Sequence, residues 1–83
     1  MAELTKSISF KNGLGLDFSA TNSVGIYTIG NLMDQTTNPP ITSNASAIYF
    51  NLQVAEKRLH LIIGVDKPLM YGKYADGNWI KLL

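Results

Sequence analysis

The sequence predicts an all-β fold: a small antiparallel sheet, sandwich or barrel of about six to seven short strands that closes with a C-terminal four-stranded meander. Three observations predict it. Apolar and polar residues alternate with period two along most of the chain, the signature of half-buried strands. Turn dipeptides, Asn12-Gly13 and Asp76-Gly77, stand between such runs. No segment keeps the i, i+3, i+4 apolar spacing of a helix for as many as three turns.

The elements follow in order. Ile8 and Phe10 alternate with Ser7, Ser9 and Lys11, a short strand. Asn12-Gly13 then favours a hairpin, because both residues tolerate the positive φ of a tight turn. Leu14, Leu16 and Phe18 would form its second arm. Residues 19–23 are polar and read as a turn, and residues 24–29, rich in β-branched and aromatic side chains, read as a strand. Residues 32–34 suit a single helical turn. Residues 35–44 form the long loop, stiffened by Pro39 and Pro40. A loop of this length in a small domain is often functional.

The second half is more regular. Residues 47–54 alternate Ile48, Phe50, Leu52 and Val54 with Tyr49, Asn51 and Gln53. Residues 58–65 answer with Leu59, Leu61 and Ile63 on one face and His60 and Ile62 on the other. Residues 69–75 and 78–82 complete the meander around Asp76-Gly77. Two units are expected: residues 1–23 as a hairpin or attachment segment, and residues 24–83 as the β domain.

Composition limits the chemistry. A chain of 83 residues is one small domain, and such a domain buries only about 60% of its unfolded surface. With no cysteine, disulfides and Cys-ligated metals are excluded, and a single histidine, His60, cannot build a multi-His site within one chain. A net charge of +1 argues against an electrostatic nucleic-acid binder. Ser, Thr, Asn and Gln supply 21 residues, about a quarter of the chain, where charge would ordinarily stand. The longest apolar stretch, residues 59–65, is broken by His60 and Gly64 and is far too short to span a bilayer. Residues 1–10 lack the apolar core of a secretion signal.

Candidate catalytic groups are sparse. Nucleophilic catalysis needs a nucleophile, a base and an orienting group, and His60 reads as a partly exposed strand histidine instead. The acids Asp34, Glu56, Asp66 and Asp76 sit mainly at turns and read as solubilising residues, not a glycosidase pair. Gly13-Leu14-Gly15 lacks the third glycine and the helix of a phosphate loop. Tyr71, Tyr74, Asn78 and Trp79 cluster within nine residues. Rings that stack on sugars beside amides that bond hydroxyls would suit a glycan, while Trp79 is expected to serve the core. No catalytic residue, cofactor or metal is expected.

The C-terminal run carries a resemblance. Leu69-Met70-Tyr71-Gly72-Lys73-Tyr74, followed by Ala75-Asp76-Gly77-Asn78-Trp79-Ile80-Lys81-Leu82-Leu83, resembles the end of phage tail-fibre or pyocin-knob modules. Those commonly finish Tyr-x-Arg-x-Tyr, a Gly/Asn turn, Trp and a terminal Lys-Leu. Here Lys73 replaces the Arg, and Ile80 follows a single Trp79. The order of strand, Asn/Pro loop and central hairpin upstream is similar, so the likeness spans residues 24–83.

The resemblance implies a non-enzymatic virion protein, a homotrimer that binds a host-surface glycan or protein and is made in the host cytoplasm. Other virion proteins would be its partners; nucleic acid and membrane insertion are not expected. The alternative is a capsid decoration or adaptor protein without a receptor role. Ligand contact is expected from Asn38, Thr42 and Asn44 in the long loop and from Tyr74, Asp76 and Asn78 at the last hairpin. The strand faces Ile48, Phe50, Leu52, Val54 and Leu59, Leu61, Ile63, with Trp79, supply core and interface. Which face serves which remains open at this point. Another copy of the chain would cover what one small core cannot.

Overall fold

A computed structural model describes residues 10–20, 22–41, 44–74 and 77–83. Six strands, β1 (Phe10–Asn12), β2 (Gly25–Ile29), β3 (Ala47–Val54), β4 (Lys57–Gly64), β5 (Met70–Tyr74) and β6 (Ile80–Lys81), form one sheet. Their order in the sheet is their order in the chain. One short helix, α1 (Leu32–Gln35), lies between β2 and β3. The expected all-β class and the C-terminal antiparallel meander are both present, and β2 extends that meander by one more antiparallel strand.

The N-terminal expectation needs correction. β1 pairs with β2 in parallel, Phe10 opposite Ile26 and Asn12 opposite Thr28, so the sheet is mixed. No hairpin forms across Asn12-Gly13. The Asn12 side chain accepts the Leu14 amide instead, and the Leu16 amide donates to the Gly13 carbonyl. Gly15, at φ 87°, completes a turn that leaves the sheet edge. A parallel pair requires a crossover of about a dozen residues, and residues 13–24 provide it. Their main chain bonds residues 35–37 through Gly15 to Gln35, Thr37 to Leu16 and Phe18 to Thr37. Period two here reported a segment lying across the sheet, not an arm within it.

That crossover, α1, Ile41, Asn44 and Ala45 form an irregular layer over one face of the sheet. It carries Leu16, Phe18, Leu32, Ile41 and Ala45 into a core closed from below by Tyr27, Ile29, Ala47, Tyr49 and Ile62. Residues 1–9 lie outside the described residues. Of the segment 1–23 expected to stand apart, Phe10–Asn12 join the sheet, and Leu16 and Phe18 enter the core.

Gly13 is required by its neighbours: a Cβ there would lie 2.5 Å from Ile29 Cγ1 and 2.9 Å from the Thr28 carbonyl. Gly13→Ala is expected to cost about 1–3 kcal/mol through overpacking. Leu32→Ala, at a fully buried position, is expected to cost about 2–5 kcal/mol. Val54→Ala, at an exposed strand end, should stay within about 0.5 kcal/mol. Urea unfolding monitored by tryptophan fluorescence measures all three.

Candidate functional site

The two faces of the sheet differ in kind. On the covered face the register sets Lys11, Tyr27, Tyr49, Ile62, Tyr71 and Lys81 in one row across all six strands. Tyr27 stacks on Tyr49 with centroids 5.5 Å apart, and Phe18 meets Tyr49 edge-on at 5.0 Å. The neighbouring row is Gly25, Asn51, His60 and Lys73. Trp79 lies just before β6, half-buried, and packs edge-on against Phe18, Tyr49 and His60 at 6.0–6.4 Å. It contributes to the core as expected. Lys73 Nζ stands 5.6 Å from its ring centroid, within cation–π range.

His60 departs from its expected exposure. It is 9% exposed and lies flat against Tyr49, with the rings 7° from parallel. The Tyr49 hydroxyl is 2.7 Å from His60 Nδ1. Burial depresses the imidazole pKa, and the cations Lys73 and Arg58 add to that. Burial also pushes the Tyr49 hydroxyl up to about 12, with contacts to Asn22 and Arg58 acting against it. Both shifts favour the neutral forms of the pair. Fully buried Asn51 and half-buried Arg58 both donate to the Asn22 carbonyl, at 3.1 and 3.0 Å. These polar groups anchor the crossover to the sheet. The Tyr49 hydroxyl and the flat packing on its ring fix the orientation of the His60 imidazole.

The opposite face is an apolar wall. Its central row is Phe10, Ile26, Phe50, Leu61, Gly72 and Ile80, with no polar side chain from edge to edge. Flanking rows add Asn12, Thr28, Ile48, Ile63 and Met70 on one side, the first two polar, and Leu52, Leu59 and Tyr74 on the other. The register therefore joins both predicted apolar sets on one face: Ile48 opposite Ile63, Phe50 opposite Leu61, Leu52 opposite Leu59. Neither set is the core; the core uses Tyr49, Asn51, His60 and Ile62 behind them. Val54, opposite Lys57 at the hairpin end, lies on the same face and is exposed. Among the described residues of this face, Lys57 at the β3–β4 tip is the one charged side chain. Beside Gly72 the wall has a hollow of about 190 Å³, lined also by Leu59, Leu61, Lys73, Tyr74, Ile80 and Leu82.

The expected ligand contacts divide. Asn38, at φ 55°, donates to Asp17 and Ser19, and the Ser19 hydroxyl and amide hold the Asp17 carboxyl below its usual range. Asn44 is spent on α1. Its Oδ1 accepts the Met33 amide at 3.0 Å, its Nδ2 donates to Asp34 at 3.1 Å, and the Ala45 carbonyl takes the Leu32 amide. Asn31, the residue before α1, makes no side-chain cap, so Asn44 satisfies helix donors from thirteen residues away along the chain from it. Tyr74 is exposed at the wall's edge, and Asn78 is exposed beside Trp79. Thr42 and Asp76 lie outside the described residues.

The structure also holds a cleft that the sequence did not suggest. It measures about 380 Å³ and is lined by Ile41, Lys67, Pro68, Leu69, Tyr71, Lys81 and Leu83. Lys67 Nζ, which lines it, donates to the Asn44 carbonyl at 2.6 Å. The Tyr71–Lys81 pairing across β5 and β6 places one ring and one ammonium side by side. Only folding brings residues 41 and 67–71 together with 81, so no local signal marks this cleft.

No protein-family model, no curated protein and no solved structure matches the chain. Among the described residues, no group of three or more His, Cys, Asp or Glu side chains could hold a metal, and no helix is long and apolar enough to cross a membrane.

The Tyr49–His60 pair sets a pH dependence. The folded imidazole binds a proton less readily than the unfolded one, whose value is 6.5. The unfolded state therefore carries more protons as pH falls below about 6.5, and stability declines there. It levels off once the folded imidazole also protonates. His60→Gln should remove this slope between about pH 5.5 and 7.5, where no other side chain ordinarily titrates. Tyr49→Phe leaves Nδ1 unpaired and is expected to cost about 1–3 kcal/mol. Urea midpoints across the pH range check both.

Proposed function

We propose that this chain is a non-enzymatic, oligomeric module of a phage particle that attaches to a host-surface glycan or protein. The observation that carries this reading is the apolar wall. The described residues of this 83-residue chain use one face of the sheet for a closed core, and none of them forms a layer over the other, half-buried apolar face. Monomers rarely expose contiguous apolar patches beyond a few hundred Å². A part whose stability depends on assembly meets that description, and the tail-fibre-like ending at residues 69–83 favours a virion setting. The homotrimer of that family is the partner number the resemblance implies.

Attachment falls to the opposite side and the last hairpin. The cleft with Lys67, Tyr71 and Lys81 offers an apolar platform beside two ammonium groups. Exposed Asn78 adds an amide near Trp79. Such a combination suits ring faces and acidic or hydroxyl substituents of a saccharide. The catalytic alternatives gain nothing from the geometry, since His60 is held by Tyr49.

The test has two arms. Light scattering at micromolar concentration should give a mass above one chain, and glycan arrays or intact bacterial envelopes should retain the protein. Lys81→Ala with Asn78→Ala, both at exposed positions, is expected to lower retention at least tenfold with an unchanged circular dichroism spectrum. A stable monomer, or retention indifferent to these substitutions and absent from every glycan and envelope, overturns the proposal. Envelope-free binding to other virion proteins would mark a decoration protein.

A further inference from the structure

We infer that the wall is covered by the same wall of a second copy, packed face to face about a two-fold axis parallel to the strands, with each Phe10 seated in the partner's hollow at Gly72. This rests on the oligomeric reading above and names the surface and occupant it lacks.

The first argument is size. Six strands about 4.8 Å apart, paired over about five residues of roughly 3.3 Å rise, give a face of about 24 by 17 Å. Side-chain relief raises its accessible area towards the 600 Å² or so per partner at which specific stable interfaces begin. The face therefore suffices for a pair and is larger than a short peptide needs.

Charge comes next. A wall with one charged side chain, at its tip, offers nothing to steer a charged partner, and nucleic acid or an acidic protein would leave its charges unmatched. An equally neutral, apolar face is the fitting complement, and the chain's own wall is such a face.

Shape then fixes the arrangement. Phe10, on edge strand β1, is 54% exposed and stands proud of the wall. The hollow lies at the other edge, where Gly72 supplies no side chain; a Cβ there would come within 3.0 Å of Leu82 and 3.2 Å of Leu61. Phe10, Gly72 and Ile80 belong to the same cross-strand row. A two-fold axis laid between two walls, parallel to the strands, carries β1 of one copy over β6 of the other and keeps each row level. Knob therefore meets hollow twice, as an isologous contact requires. A cavity of roughly 150 Å³ accepts a benzene ring, so about 190 Å³ accepts the ring of Phe10. Sheets packed in this way lie about 10 Å apart, within reach of such side chains.

Light scattering of the wild-type chain at micromolar concentration should give twice its 9.1 kDa mass. Phe10→Asp, at an exposed edge position, should raise the dimer dissociation constant at least tenfold with unchanged circular dichroism, while Lys81→Asp on the other face should not. The chain has no cysteine, so Asn12→Cys with Ile80→Cys gives a clean cross-linking pair. Those positions lie at opposite edges, about five strand spacings or 24 Å apart within one copy. A short bis-maleimide should therefore yield covalent dimers, and Lys11→Cys with Lys81→Cys should yield few. A dimer indifferent to Phe10→Asp, equal cross-linking of both pairs, or a trimer overturns the wall-to-wall pair while an oligomeric module stands. A monomer overturns both.

Discussion

The rest of the structure depends on the register of β3 against β4. Tyr49 stands opposite Ile62 and Ile48 opposite Ile63, and side chains alternate strictly between faces. Those pairings therefore decide what every neighbouring strand presents to each side. A slip of one residue would turn Tyr49, Asn51 and His60 outward and bring the aliphatic set under the crossover. The register is held from the covered side. Tyr49 bonds His60 across the pair, while Asn51 and Arg58 each reach the Asn22 carbonyl of the crossover. A purely aliphatic strand pair would carry no such marks and could slide.

This explains why the more polar face became the core. The crossover brings main-chain groups that need partners, among them the Asn22 and Ser23 carbonyls, which accept from Asn51, Arg58 and Tyr27. An irregular segment can be buried only where its polar backbone is satisfied. Aromatic residues with a polar end, Tyr27, Tyr49, His60 and Trp79, provide both bulk and bonds. The Ile48–Phe50–Leu52 face could offer bulk alone. It suits an even, regular surface with no free polar groups, such as another sheet.

Legibility followed the range of the interactions. The strands β3, β4 and β5 were readable because alternation and the Asp76-Gly77 turn are local signals. The assignment of faces was not, because hydropathy ranks Ile, Phe and Leu above Tyr, Asn and His, while burial here followed hydrogen-bonding demand. The parallel β1–β2 pair was hidden for a similar reason: Asn12-Gly13 is a good turn signal, and the turn it makes leads off the sheet. Asn44 looked like a free loop amide and is a helix clamp, since its partners at 31–34 are distant in sequence. Tyr74 and Asn78 are exposed, and Trp79 packs against the core.

The same reasoning bears on how such a small chain persists. A domain of this size is marginal on its own, and here roughly half of its strand-borne apolar surface faces away from the core. Folding of one copy closes the Tyr49–Ile62 side and leaves the Phe50–Leu61 side half-buried. A partner that covered this side would add stabilisation that depends on protein concentration. Gly72 is buried, and its missing side chain lets Leu82 and Leu61 close over the strand. The charge pattern agrees: the described cations line the covered face or its rim at Lys11, Arg58, Lys67, Lys73 and Lys81, and the wall keeps only Lys57. One sheet thus separates a face of aromatic, polar and cationic side chains from a face that is almost wholly apolar.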